Sequence, residues 1–177
     1  QRRSERLGAL VADAVGAEGE LLQLAHRGQR RGECLGALVA DAVDAEVKLL
    51  QLAQVNYQFV SYENIPFGER FILWRHDCDY SLNRAFKLAE IEAQEGVCST
   101  YFINPHCEFY NPLEKEQAKL VEQILGLEHA LGLHFDAGFH GINSLAELEE
   151  QIAFEASMLE RYFGQKPVAF SFHNPNV

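Results

Sequence analysis

Two patterns of apolar and polar positions divide the chain. Over residues 1–54 apolar side chains recur at helical spacing. Leu7, Leu10, Val11, Ala14, Leu21, Leu22 and Ala25 fall on one face. The stripe then returns: LGALVADAV occurs at Leu7–Val15 and again at Leu35–Val43, and LLQLA at Leu21–Ala25 and again at Leu49–Ala53. The offset is 28 residues, or four heptads, so the apolar face keeps its phase. Gly28 and Gly32 interrupt it and favour a turn. An antiparallel helical hairpin is therefore expected over 1–54, ahead of a single rod. A helix this apolar on one side must bury that side on its twin, on the neighbouring domain or on another chain. Two copies are too few for a self-sufficient solenoid. The favoured reading is a duplicated spacer without chemistry, and self-association through residues 1–54 is the functional alternative.

From Tyr57 the period changes. Arg70–Arg75 (RFILWR) is a short run rich in strand formers, ending at His76-Asp77-Cys78-Asp79. Ser81 caps a helix whose Leu82, Ala85, Phe86, Ala89 and Ala93 share a face, and Gly96 stops it. Val97–Ile103 is the next strand, leading to Asn104-Pro105-His106. Asn111-Pro112 opens a helix with proline at its first position. Ala130–Phe135 is a third strand, followed by Asp136. Ser144 and Glu147 form a capping box for a helix that Gly164 closes. Val168–Phe172 is the fourth strand and delivers His173-Asn174-Pro175. This alternation predicts an α/β fold, with right-handed βαβ crossovers and a parallel sheet over 55–177.

Composition and charge narrow the function. The 177 residues are 47% hydrophobic and 23% charged, which fits a globular chain and excludes a wholly disordered one. Formal charge is −11, the wrong sign for a phosphate-binding surface, so no nucleic-acid partner is expected. The charge is uneven: residues 1–54 hold 7 basic and 8 acidic groups, residues 55–177 hold 8 and 18. A domain boundary near 54/55 follows. No apolar run approaches the roughly 20 residues that span a bilayer. Cys34, Cys78, Cys98 and Cys107 make neither a CxxC pair nor a disulfide framework. With no signal-peptide pattern at the amino end, a cytoplasmic location is expected.

The polar groups carry the chemistry. Asp77, Asp79, His106, His134, Asp136 and His173 all lie at or just past the carboxyl ends of successive expected strands. In a parallel sheet those ends share one rim, and in a (β/α) barrel that rim hosts the active site. Carboxylates with imidazoles suit zinc or a similar transition ion, not calcium. Asp77 and Asp79 are two apart and face the same side of a strand. One can bind metal while the other accepts a proton. Each residue also has a plainer role: a lone DxD as a turn or cap, His134 as a hydrogen-bonded core residue, His173 as a strand-end cap. His140 in GFHG reads as exposed, and His129 as structural.

The segments WRHDCDYSLNRAFKLAEIEAQEGVCSTYFIN, HALGLHFDAG and SFHNPN resemble the polysaccharide deacetylase (NodB-homology) family, in the branch whose first motif reads RHDVD instead of TFDDG. The resemblance covers roughly Phe71 to Val177. It implies a partial (β/α) barrel of about four β/α units behind the helical repeat. The implied activity is metal-dependent removal of acetyl groups from N- or O-acetylated glycans. It implies Asp77 as general base, Asp79 and His134 as metal ligands, and a divalent ion, zinc first, with cobalt or nickel as alternatives. The family's second HxxxH histidine falls on Gly138, so His173 is taken as the third ligand, with His140, Asp136 and His106 as weaker candidates. The family's arginine-proline motif appears as Asn174-Pro175. The later histidine that would act as general acid has no counterpart, so a fragment of a longer deacetylase-like protein is expected. The alternative is a catalytically inactive relative that binds glycans or a partner chain.

Overall fold

The computed structural model describes residues 35–66 and 68–174. The first copy of the repeat, and with it the expected hairpin, lies outside the described residues. The second copy is helix α1, Leu35–Gln54. It packs on helix α2, Leu82–Gln94, with Leu50 fully buried. Gln51 Nε2 donates to Glu95 Oε2 at 2.9 Å, and Gln54 Nε2 to the Glu95 carbonyl at 2.7 Å. Of the destinations open to the apolar stripe, this copy uses the βα part of its own chain.

Strands β1 (Gln58–Phe59) and β2 (Phe71–Ile72) form a small parallel pair. Strands β3 (Arg75–Cys78), β4 (Thr100–Ile103), β5 (Ala130–Phe135) and β6 (Phe170–Phe172) form a parallel sheet in chain order. Helix α2 links β3 to β4, and helix α3, Lys115–Gly126, links β4 to β5. The short helix α4, Ala137–His140, and helix α5, Leu145–Phe163, link β5 to β6. Right-handed crossovers that all step the same way put their helices on one face. The fold is mixed α/β, with its parallel strands curled into a half-barrel sheet.

The two-residue period sorts the sheet. Cys78, Tyr101, Ile103, Leu131, Leu133 and Phe135 pack against Leu82, Ala89, Val121, Ile124 and Leu159 of the helices. The alternate positions Arg75, Asp77, Phe102, Gly132, His134 and Ser171 therefore face the inner, concave side. Register aligns Asp77 with Phe102 and Phe102 with Gly132, and His134 with Ser171. Phe102 lies over Gly132, where a Cβ would meet its ring carbons at 2.6–2.8 Å. Only glycine admits that ring.

The helix side is held by Glu92, which is fully buried. It accepts from Trp74 Nε1 at 2.8 Å, His76 Nε2 at 2.6 Å and Tyr101 Oη at 2.6 Å, and from Ser99 Oγ. Burial pushes the Glu92 carboxyl up, but the charge and hydrogen bond of His76, with the Ser99 and Tyr101 bonds, outweigh it and leave the pKa below its ordinary value. His129, read as structural, accepts from the Ser99 N–H at Nδ1 and sits 3.0 Å from the Ala89 carbonyl at Nε2. Burial lowers its pKa and favours the neutral ring.

Several element boundaries differ from expectation: β4 starts at Thr100 instead of Val97, and β6 at Phe170 instead of Val168. The RFILWR run divides: Phe71–Ile72 pairs with β1, while the main-sheet strand begins at Arg75 and runs through the polar residues. His76 tolerates burial there because Glu92 receives its ring. Pro112 lies in a turn, not in helix α3. Asn111 Oδ1 accepts from Leu113 N, and Glu114 Oε2 caps α3 by accepting from Glu116 N and Gln117 N. Ser81 and Ser144 do cap α2 and α5. Gly164 closes α5 in the left-handed region at φ 71°.

Candidate metal centre

Three elements bring three donor atoms together at the carboxyl-end rim. Just past β3, the Asp79 N–H bonds the Asp77 carbonyl at 3.0 Å, a tight turn that keeps Asp79 beside the strand end. His134 is the penultimate residue of β5 and is 4% exposed. His173 follows β6, its N–H fixed to the Phe135 carbonyl at 2.8 Å. Asp79 Oδ1 stands 3.1 Å from His134 Nε2 and 3.3 Å from His173 Nδ1, and the two nitrogens are 3.2 Å apart. This is nearly an equilateral triangle.

The donors fit a metal ion. Ligand atoms at zinc's usual bond length lie about 2.9 Å apart at right angles and about 3.3 Å apart at tetrahedral angles. The three observed separations fall in or at that range. Asp79 Oδ1 is shielded from solvent and accepts no hydrogen bond, although both imidazole nitrogens are close. Buried polar atoms are rarely left unmet. A carboxylate oxygen and two ring nitrogens converging without pairing well is what a shared cation explains. Ser171 Oγ, 2.8 Å from His134 Nδ1, can hold the Nδ1–H tautomer and leave Nε2 its lone pair. The Asn174 amide stands 3.0 Å from His173 Nε2; with its oxygen turned to that nitrogen, Nδ1 is freed in the same way.

Asp77 stands beside this triangle, with Oδ1 4.0 Å from His134 Nδ1. Arg75 Nη2 grips it, 2.6 Å from Oδ1 and 2.5 Å from Oδ2. The guanidinium itself lies over the Phe102 ring, 4.6 Å from its centroid. The aspartate is thus met by an arginine of its own strand, two residues back. A cleft of about 490 Å³ opens next to the triangle, lined by Ala137, Gly138, Ile142, Asn143, Phe172 and His173.

The weaker candidates do not join this centre. Asp136 Oδ1 accepts from Gly138 N at 2.9 Å and Phe139 N at 3.2 Å, which makes it the N-cap of α4. His106 and His140 both turn to Glu155, at 2.8 and 2.5 Å from its Oε1. Two separate groups, Asp79–His134–His173 and His106–His140–Glu155, thus have the side chains to hold a metal ion. The sequence reading missed Ser171, Arg75 and Glu155. For Glu155 a signal existed: it interrupts the apolar stripe Leu148, Ile152, Leu159 on the buried face of α5.

Among the described residues no helix is long and apolar enough to cross a membrane. No protein-family model, no curated protein and no solved structure matches the chain.

Proposed function

We propose that the chain is a metal-dependent carbohydrate deacetylase of the polysaccharide deacetylase type, its half-barrel sheet being part of a (β/α) barrel. The observation that carries this reading is the Asp79–His134–His173 triangle, with a second aspartate held next to it by an arginine. Zinc suits a donor set of two nitrogens and one oxygen, with cobalt or nickel as substitutes. When bound, such an ion supplies Lewis acidity to a carbonyl oxygen and lowers the pKa of water.

The chain's own residues do the rest. Asp79, His134 and His173 hold the ion, and of the three His173 lines the cleft. Asp77 takes the proton from the attacking water at a carboxylate oxygen. Arg75 keeps that carboxylate oriented, which makes it a positioning residue. The cleft beside His173 falls within the usual volume range for small-ligand sites. An acetylated glycan is the proposed occupant.

Acetate release from N-acetylated chito-oligosaccharides and from O-acetylated xylan by the zinc-loaded full chain tests the reading. Release should require the ion and be lost in Asp79→Ala, His134→Ala and Asp77→Asn. Asp77→Asn should keep its metal. Gly138, where the family places a histidine, leaves that cleft wall without a donor and favours the alternative of a glycan-binding module. Metal and glycan binding with no acetate from either substrate supports that alternative and overturns the deacetylase.

A further inference from the structure

We propose that His106, His140 and Glu155 form a second zinc site, separate from the rim centre, which clips the loop after β4 and helix α4 onto helix α5. This does not depend on the deacetylase reading.

The carboxylate is the anomaly. Glu155 occupies a core position of α5 between Ile152 and Leu159 and is 0% exposed. A buried carboxylate needs compensation. Both imidazole Nε2 atoms crowd onto the same oxygen, Oε1. Oε2 is equally buried and has no partner. A carboxylate offers about four acceptor sites, so a pin made only of two N–H bonds would spread over both oxygens. A cation bound through Nε2, Nε2 and the carboxylate meets all the donors and answers the buried charge.

Both rings are preset. His106 stacks on Phe139 with centroids 3.6 Å apart and planes 11° from parallel. Its backbone N–H is tied to Asn104 Oδ1 at 2.8 Å, which fixes the loop that carries the ring. His140 stacks on Phe135 at 5.2 Å and 6°. The candidate ligand atoms all lie within 4.8 Å of one another. Ligand atoms around zinc sit about 2.9–3.3 Å apart, so each ring has to draw back from Oε1 by less than about 1 Å, and the two Nε2 atoms, within 4.8 Å of each other, have to meet that same spacing. Two imidazoles and one carboxylate favour zinc over calcium or magnesium.

The three ligands come from the loop after β4, from α4 and from α5. Helix α4 also contributes Ala137 to the cleft wall, and Gly138 follows it there. The second ion would therefore fix one wall of the cleft by tying three segments together.

The test is zinc stoichiometry of the full chain after dialysis against buffered Zn²⁺, read by elemental analysis. Wild type should hold two equivalents, Asp79→Ala one and Glu155→Gln one. Imidazole ¹⁵N resonances of Asp79→Ala should show His106 and His140 Nε2 shifting on zinc addition. If Glu155→Gln does not fold, the His106→Gln/His140→Gln double variant replaces it and should also hold one equivalent. Should Asp79→Ala bind no zinc, or either second-site variant keep the full wild-type count, the proposal is overturned and the cluster is a hydrogen-bonded pin. Failure of the deacetylase reading shows separately, as absent acetate release with the zinc count intact.

Discussion

Glu92→Gln tests whether the helix-side carboxylate anchors the strand that carries the site. His76, which it binds, neighbours Asp77 on β3. Oε1 receives Trp74 and His76, and Oε2 receives Tyr101 and Ser99. Glutamine is nearly isosteric. Its oxygen can serve the two ring donors, while the hydroxyls of Ser99 and Tyr101 turn to accept from its NH₂. What is lost is charge assistance on four bonds, about 1 kcal/mol each, or about 4 kcal/mol in all. That is a large part of the roughly 5–15 kcal/mol that typically separates folded from unfolded states. Glu92→Leu should be worse, because it also removes the oxygen that accepts from Trp74 Nε1 and His76 Nε2. Trp74 is the single tryptophan, so urea denaturation followed by its fluorescence reads the network directly. The pH dependence has a fixed sign. The native pKa of Glu92 lies below the unfolded value of 4.5, so the unfolded chain binds more protons between the two. The contribution is complete above that unfolded value and is lost as pH falls through the native pKa. Glu92→Gln should lack this component of the acid slope. A loss under about 1 kcal/mol with an unchanged acid slope, or Glu92→Leu as stable as wild type, refutes the reasoning.

Ser171→Ala removes the hydroxyl that orients His134 and should weaken zinc at the rim centre by about 10–100-fold in a competition titration, without unfolding the chain. Asp77→Asn should lower acetate turnover by about 10²–10⁴-fold with the zinc count unchanged. Arg75→Met should lower turnover less than Asp77→Asn, with the zinc count unchanged, since the carboxylate loses the guanidinium that orients it. Gly132→Ala forces the Phe102 ring to move and should cost about 1–3 kcal/mol in urea denaturation.

Much of the architecture was legible because periodicity is a local property. Alternating strand and helix patterns, the serine caps at Ser81 and Ser144 and the stop at Gly164 need only near neighbours to act. Parallel pairing in chain order follows from crossover handedness, and it brings residues from distant strand ends to one rim. That is how Asp77, Asp79, His106, His134, Asp136 and His173 could be placed together; the choice of Asp79, His134 and His173 among them came from the family resemblance. What failed locally was the assumption that polar residues end a strand. His76 and Asp77 lie inside β3 because Glu92, 16 residues from His76, and Arg75 satisfy them.

The division of the ionisable groups was decided only in three dimensions. Strand-end position says that a side chain reaches the rim, not which neighbour it meets there. The α4 turn carries His140 away from the β5 end and spends Asp136 as its cap. Glu155, carried in from the opposite direction on α5, then draws His106 and His140 to itself. Sequence periodicity places residues on a face; the partners of a buried charge depend on which segments fold against that face, and no single segment encodes that choice.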